Sequence, residues 1–187
     1  MHYAREPTKD YVQEAIKTVT SIRNNEPPGD ILVFLTGEKE IEDACRTIRS
    51  RTSSSSSVPL AVIPLYSTLP PHMQQLVFDD PPVGNNGALG RKCIVATNIA
   101  ESSITIDGVV YVVDPGFAKQ KVYNPRVRVE SLLVSPISKA SARQRAGRAG
   151  RTRPGRFRHH YSESSIGKDT VGVGKGLIYL LVNKFHQ

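Results

Sequence analysis

The residues between Gln144 and Arg151 carry the strongest chemical signal in this sequence of 187 residues. They read QRAGRAGR, so three arginines are separated by small residues. Arg148 and Arg151 are three residues apart and share a face in helical geometry. The planar fork of a guanidinium fits phosphate oxygens, including the charge that develops on them during phosphoryl transfer. The alternative is a basic, glycine-interrupted helix end, because three arginines alone are not specific.

Positive charge is concentrated around this string. The chain has a formal net charge of +8, and the stretch from Lys139 to Arg158 holds eight Lys and Arg residues and no Asp or Glu. The acidic residues cluster earlier, between Glu38 and Asp43. A basic stripe of this kind is the expected footprint of phosphate binding, and the alternative is a solvated surface or a basic tail.

The elements that would position these residues alternate along the chain. Continuous apolar runs, typical of buried parallel strands, are Ile31–Leu35, Leu60–Leu65, Cys93–Ala96 and Val109–Val113. Helical patterns are found at 8–23, 38–49, 70–78 and 138–148, and a β-hairpin is expected within 122–134. This alternation predicts an α/β domain with a mainly parallel sheet that is flanked by helices.

Polar residues follow three of the predicted strands directly. They are Thr36-Gly37, Thr97-Asn98 and Asp114-Pro115-Gly116. In open α/β folds, ligands bind at the carboxyl ends of the strands, so these turns are candidate binding positions.

Composition sets the broad class of the protein. The length suits one domain, and 39% hydrophobic with 22% charged residues is typical of a soluble globular chain. No apolar run approaches the ~20 residues of a membrane span, and the first residues do not resemble a secretory signal. Cys45 and Cys93 form no metal-ligand or disulfide pattern, which indicates a reducing compartment.

Several strings, taken in order, resemble the DEAH/RHA branch of superfamily 2 helicases. The matching segments are Val33–Gly37 (motif IV), Leu65–Pro70 (motif IVa), Ala96–Gly108 (motif V), Asp114–Arg126 (start of the DEAH hairpin) and Gln144–Arg151 (motif VI). The resemblance covers about residues 5–155. It is strongest to the DEAH-box RNA helicases of pre-mRNA splicing and ribosome biogenesis, which implies a nuclear or cytoplasmic location.

The resemblance implies a fold and a set of partners. The chain would be the second RecA-like lobe, with a β-hairpin insertion, over residues 1–163. ATP with Mg²⁺ would bind in the cleft between this lobe and the first RecA-like lobe of the same enzyme. RNA and a G-patch-type activator protein are the other implied partners, and no membrane is involved.

Roles at the nucleotide follow residue by residue from the resemblance. Gln144, Arg148 and Arg151 match positions that face the γ-phosphate, the two arginines acting as fingers. Ser103, Thr105 and Asp107 match positions near the nucleotide, with Asp107 as the acceptor for a ribose hydroxyl. Phe78 matches an aromatic residue that stacks on adenine, and its alternative is an ordinary core residue.

A second group matches positions that hold the RNA backbone. Its members are Thr36, Gly37, Ser67, Thr97 and Asn98. Short hydroxyls, an amide and backbone N–H groups suit this task, because they reach phosphates and sugars without reading bases. For Ser67 and Thr68, a helix cap before Pro70 is an alternative role.

The departures from the family pattern are equally informative. The sequence contains no Gly-x-x-x-x-Gly-Lys-Ser/Thr loop, to which Gly172–Gly176 is only superficially similar, and no Asp-Glu-x-His string. The Mg²⁺ ligands are therefore expected from the first lobe, and this chain alone is expected to be inactive. His159 and His160 lack further ligands, so no metal site is predicted.

Residues 164–187 resemble nothing in the family and are expected to form a loosely ordered tail. The rival hypothesis for the whole chain is a non-catalytic fragment that binds RNA or a protein partner. A lobe with a phosphate-binding loop, encoded upstream in the same transcript, would distinguish the two.

Overall fold

The computed structural model describes residues 10–52, 59–84, 87–124, 129–149 and 179–181, of which 122–124, 129–130 and 179–181 are described as backbone alone. The helices are α1 (Tyr11–Asn25), α2 (Glu38–Thr52), α3 (Pro71–Gln75), α4 (Ile99–Ser102) and α5 (Lys139–Ala146), and Leu76–Phe78 forms one turn of 3₁₀ helix. The strands are β1 (Asp30–Phe34), β2 (Leu60–Leu65), β3 (Arg91–Ala96), β4 (Val109–Asp114), β5 (Phe117–Asn124), β6 (Val129–Pro136) and β7 (Tyr179–Leu181).

Five strands form one sheet in the order β2-β3-β1-β4-β7. The first four are parallel, and β7 is antiparallel to β4. Every residue of β1, β3 and β4 is buried, as expected for strands that are covered on both faces. The predicted α/β architecture with a mainly parallel sheet is confirmed.

Two long helices cover one face of this sheet. The first, α1, begins after Asp10, whose Oδ1 accepts a hydrogen bond from the Gln13 backbone N–H at 3.1 Å. Together α1 and α2 pack on the face that carries Ile31 and Val33 of β1. The apolar residues that they bury are Ala15, Ile16, Val19, Ile22, Ile41, Ala44, Cys45 and Ile48.

Short elements cover the opposite face, where Leu32 and Phe34 of β1 lie. The covering residues include Val77 of the 3₁₀ turn, Ala100 of α4, Ile106 of the segment before β4 and Ala149 after α5. Ala100 and Ile106 belong to the motif V string, and Ala149 belongs to the motif VI string. Their packing on one face of the sheet therefore brings the two strings together.

The strands β5 and β6 form a separate antiparallel hairpin, with pairing from Phe117 and Pro136 to Asn124 and Val129. The predicted hairpin is confirmed, and it extends beyond both ends of the predicted range 122–134, from Phe117 to Pro136. The four-residue helix α4 was not predicted, because it is too short to show a helical period.

The division of the chain at residue 163 stays a prediction. The structure does not describe residues 150–178 and 182–187. Arg151, His159, His160 and Gly172–Gly176 therefore lie outside the described residues. Tyr179–Leu181 pairs with β4 and adds a short strand at the sheet edge. Among the helices of the described residues, none has both the length and the hydropathy of a membrane span.

Candidate functional site

The carboxyl ends of three neighbouring strands border a cavity of about 470 Å³. Because β2, β3 and β1 are adjacent in the sheet, the turns that follow them meet at one edge. All five residues predicted to hold RNA line this cavity: Thr36, Gly37, Ser67, Thr97 and Asn98. The placement agrees with the rule that ligands of open α/β sheets bind beyond the carboxyl ends of the strands.

Glu40 fixes the turn after β1. Its Oε2 accepts hydrogen bonds from the Thr36 hydroxyl at 2.8 Å and from the Thr36 backbone N–H at 3.1 Å. Its Oε1 accepts a bond from the Tyr11 hydroxyl at 2.5 Å. Burial, followed by this bond to Glu40, raises the pKa of Tyr11 to about 12. Glu40 was not predicted as a site residue, yet it determines where Thr36 lies.

The hairpin supplies the remaining wall of the cavity, through Ala118, Lys119 and Leu132. The Lys119 ammonium lies 2.7 Å from the position that a β-carbon on residue 37 would occupy. Glycine at position 37 therefore leaves room for this lysine to reach across the cavity. Lys119 was not predicted to line this cavity, although it lies within the string that resembles the start of the DEAH hairpin.

The turn after β2 does not cap α3. The residue at the start of this helix is Pro70, and no side chain bonds to the N–H groups there. The Thr68 hydroxyl instead donates to Glu38 Oε1 at 2.5 Å, and Ser67 is exposed. The alternative role of Ser67 and Thr68 as a helix cap is therefore wrong, and Ser67 remains exposed beside the cavity.

A second candidate region lies between α4 and β4. Ser103, Thr105 and Asp107 are exposed there, while Ile106 between them is buried in the core. The three polar side chains are therefore exposed on the same side of the sheet as α4 and the 3₁₀ turn.

Arg148 is joined to this region. Its Nε donates to the Glu101 carbonyl oxygen at 2.8 Å, and its Nη1 donates to the Ile104 carbonyl oxygen at 3.1 Å. The residue is buried, at 8% exposure, and its guanidinium is held by backbone carbonyl oxygens beside Ser103 and Thr105. Gln144 is exposed on α5, and Arg151 is outside the described residues.

Arg145, three residues earlier, has a different environment. It is 1% exposed, and its guanidinium donates to Glu101 Oε2 at 3.0 Å and to Asp114 Oδ1 at 2.9 Å. The same group lies 4.6 Å from the centre of the Phe34 ring and donates to the Phe117 carbonyl oxygen at 3.2 Å. The basic stripe is therefore not a uniform phosphate surface, because this arginine is part of the core.

Asp114 shows how strongly burial acts in this core. Burial raises the pKa of its carboxyl group, and the opposite charge of Arg145 acts in the other direction. Its Oδ1 also accepts a bond from the Gly116 backbone N–H at 2.8 Å. The pair ties the end of β4 and the base of the hairpin to α5.

Phe78 lies at the end of the 3₁₀ turn and is 61% exposed. Its alternative role as a core residue is wrong. The preceding residue, Val77, is fully buried in the same cluster as Ile106, so Phe78 and the segment with Asp107 lie on the same face of the sheet.

The sequence of residues 11–153 matches the model of the helicase conserved C-terminal domain. The chain belongs to this family. The fold is also similar to that in the crystal structure of the E. coli DExH-box NTPase HrpB, with a TM-score of 0.74 and 31% sequence identity. That match covers 93% of this chain and 20% of the HrpB chain, so this helicase C-terminal domain spans about one fifth of that relative.

Proposed function

We propose that this helicase C-terminal domain is the second RecA-like lobe of a DEAH-box RNA helicase. In that enzyme it would complete an ATPase site and form one wall of an RNA channel. The observation that carries the proposal is the convergence of all five candidate RNA-binding residues on one cavity at the carboxyl edge of the sheet.

The chemistry of this cavity suits a nucleic-acid backbone. Hydroxyl groups, an amide and a glycine offer short polar contacts that reach phosphates and sugars without reading bases. Lys39 and Lys119, which also line the cavity, add positive charge. Binding should therefore tolerate many base sequences and weaken as salt rises.

The nucleotide would bind at the other exposed region. Phe78 would stack on adenine, Asp107 would accept a bond from the ribose, and Ser103 and Thr105 would lie nearby. Arg148, with Gln144 and Arg151, would face the γ-phosphate, where guanidinium groups stabilise charge that grows during transfer. The bound Mg²⁺ would neutralise phosphate oxygens, and its protein ligands would come from the first lobe.

The short helix α4 links the two regions. Thr97 and Asn98 line the cavity just before α4 begins, and Glu101, one turn later, accepts bonds from Arg145 and Arg148. A change at the γ-phosphate that moved Arg148 would thus be transmitted to the cavity over a single turn. This arrangement supports coupling of ATP hydrolysis to movement along RNA.

The finer assignments belong to the same proposal. A role in pre-mRNA splicing or ribosome biogenesis, in the nucleus or cytoplasm, is supported by the resemblance of the motif V and hairpin strings. A G-patch-type activator would be a further partner, and residues 164–187 would form a tail that is attached to the lobe where Tyr179–Leu181 pairs with β4.

The RNA side is tested by titrating the chain with single-stranded homopolymer RNAs at several salt concentrations. We expect weak binding to every homopolymer, and Lys119→Ala should lower the slope of log affinity against log salt by about 0.7, as for one phosphate contact on a single strand. Lys17→Ala, on the outer helix α1, is the matched control and should change the slope little. Strong preference for one base, insensitive to salt, would contradict the proposed RNA wall.

A further inference from the structure

A lysine inside the sheet holds the backbone on both sides of Phe78. Lys92 belongs to β3, and its side chain is 6% exposed. Its ammonium donates to the carbonyl oxygen of Val77 at 2.9 Å and to that of Asp79 at 2.7 Å. These two carbonyl groups flank Phe78 directly, so one charged group fixes the residue before and the residue after the exposed ring.

The third partner of this ammonium is Asp30, at the start of β1. The distance from Lys92 Nζ to Asp30 Oδ2 is 3.6 Å, and Asp30 Oδ1 accepts a bond from the Lys92 backbone N–H at 2.8 Å. The two carbonyl oxygens accept two of the three donors of the ammonium group, and the carboxylate at 3.6 Å is its ion-pair partner. Burial of the pair excludes water from these contacts and makes their geometry specific.

Asp30 also fixes the segment that carries Asp107. The Asp30 backbone N–H donates to the Gly108 carbonyl oxygen at 3.1 Å. Gly108 has a φ of +83°, and a β-carbon there would lie 2.9 Å from Asp30 Oδ2. Glycine is therefore required at this close approach, and the path of the chain beside Asp107 is set by Asp30.

We propose that Lys92 and Asp30 are positioning residues that hold Phe78 and Asp107 at a fixed separation and thereby set the adenine-and-ribose part of a nucleotide site. The inference rests on the proposed function for the roles of Phe78 and Asp107. Both positioning residues are buried and act through the backbone, without touching the nucleotide. The single 3₁₀ turn that ends at Phe78 has little rigidity of its own, because such short turns have weak hydrogen-bond geometry.

The neighbouring Arg91 provides a matched comparison. It is also a buried cation on β3, at 4% exposure, and its side chain also donates to a backbone carbonyl oxygen. Successive strand residues point to opposite faces, so Arg91 reaches Glu26 and lies 5.7 Å from the centre of the Tyr111 ring, away from Phe78. Both residues are buried cations that could stabilise the fold in general, but of the two only Lys92 bonds the turn that carries Phe78.

The experiment is an NMR titration of the 187-residue chain with ATP and, separately, with inorganic tripolyphosphate, both with Mg²⁺. The ratio of the two dissociation constants reports the contribution of base and ribose, because only ATP carries them. The test variant combines Lys92→Met with Asp30→Asn. Asparagine keeps an oxygen that can accept the backbone N–H of residue 92, and it leaves no unpaired buried charge. Lys92→Arg is a second variant that keeps the charge but changes its shape and donor geometry.

The wild-type chain should bind ATP more tightly than tripolyphosphate, and both test variants should lose this preference by on the order of tenfold, within what base stacking contributes. Tripolyphosphate affinity should stay nearly constant, and Arg91→Met should keep the wild-type ratio. Phe78→Ala should lose the preference too, and combining it with the test variants should add little. The amide spectrum verifies that each variant is folded.

The experiment distinguishes failure of the proposed adenine contact from failure of the positioning role. If Phe78→Ala keeps the ratio, the proposed adenine contact is wrong and the inference falls with it. If Phe78→Ala loses the ratio while the folded Lys92 variants keep it, the adenine contact stands and the positioning role is overturned. Equal losses of ATP and tripolyphosphate affinity in the Lys92 and Arg91 variants would also overturn it, since they would indicate a general structural effect.

Discussion

Replacing Arg145 by methionine should destabilise the fold severely, although the residue lies in a string that resembles a phosphate-binding motif. The guanidinium bonds Glu101 and Asp114, and the Asp114 side chain is 1% exposed. Removing one partner of a buried ion pair typically costs about 3–5 kcal/mol, because the other charge remains buried. For a domain of this size, each kcal/mol shifts the midpoint of thermal unfolding by ~2–4 °C, which gives a decrease of about 6–20 °C.

Thermal and urea unfolding, followed by circular dichroism, measure this loss. Arg143→Ala, on the exposed side of the same helix, is the control and should change the free energy of unfolding by less than ~0.5 kcal/mol. Adding Asp114→Asn to Arg145→Met should recover much of the stability, because the unpaired charge is removed. A loss below ~1 kcal/mol for Arg145→Met would refute the assignment of this arginine to the core.

The stability that Arg145→Met loses should depend on pH. Burial already raises the pKa of Asp114, and without Arg145 the pKa should rise further. A carboxyl group with a raised folded-state pKa favours folding in acid, and this contribution is lost as the pH rises through that pKa. The stability deficit of Arg145→Met should therefore be smallest in acid and grow towards neutral pH. A deficit that does not change with pH would exclude Asp114 as its source.

Three further outcomes follow from individual contacts. Glu40→Ala releases the turn at Thr36 and should weaken RNA binding about fivefold, or ~1 kcal/mol, in the homopolymer titration; unchanged affinity would show that the turn holds itself. Burial raises the pKa of Cys45 to about 12, so iodoacetamide at pH 8 should modify it only after unfolding, and rapid modification of the folded chain would contradict this burial. Limited proteolysis should cut beyond Ser164 before it cuts β1, and equal protection of both segments would make residues 164–187 an integral part of the fold.

The cavity residues could be found from the sequence because two signals agreed. Thr36 and Thr97 follow continuous apolar strands, and the resemblance to the helicase strings assigned both residues to the RNA backbone. Lys119 could not be found in the same way. Its place in the cavity depends on how the hairpin is attached to the sheet, through the bonds from Arg145 to Asp114 and Phe117. Such long-range contacts leave no local period in the sequence.

The environments of Arg145 and Arg148 could not be predicted from the sequence either. Arg145 and Arg148 are three residues apart, so a helical pattern assigns both to one face. In the structure, α5 ends at Ala146, and Arg148 lies beyond the helix with its backbone N–H bonded to the Arg145 carbonyl oxygen. Both guanidinium groups are buried, but Arg145 pairs with the Asp114 carboxylate, whereas Arg148 bonds the backbone carbonyl oxygens of Glu101 and Ile104. Spacing alone cannot separate these two environments.

The central claim is that this domain supplies part of an ATPase site that a first RecA-like lobe completes. It is tested by measuring phosphate release, with saturating RNA, by the chain alone and by a two-lobe protein that joins it to a first RecA-like lobe. The chain alone should release phosphate no faster than buffer, because it has no phosphate-binding loop to position the phosphates with Mg²⁺ for transfer.

In the two-lobe protein, Arg148→Ala should lower kcat by about 10³–10⁵-fold while ATP affinity changes little, since a finger arginine acts mainly in the transition state. Lysine at this position should not restore the rate, because it lacks the planar fork. Arg143→Ala serves as the control and should keep most of the activity. RNA-stimulated turnover by the chain alone, or an Arg148→Ala enzyme that keeps most of its kcat, would contradict the claim.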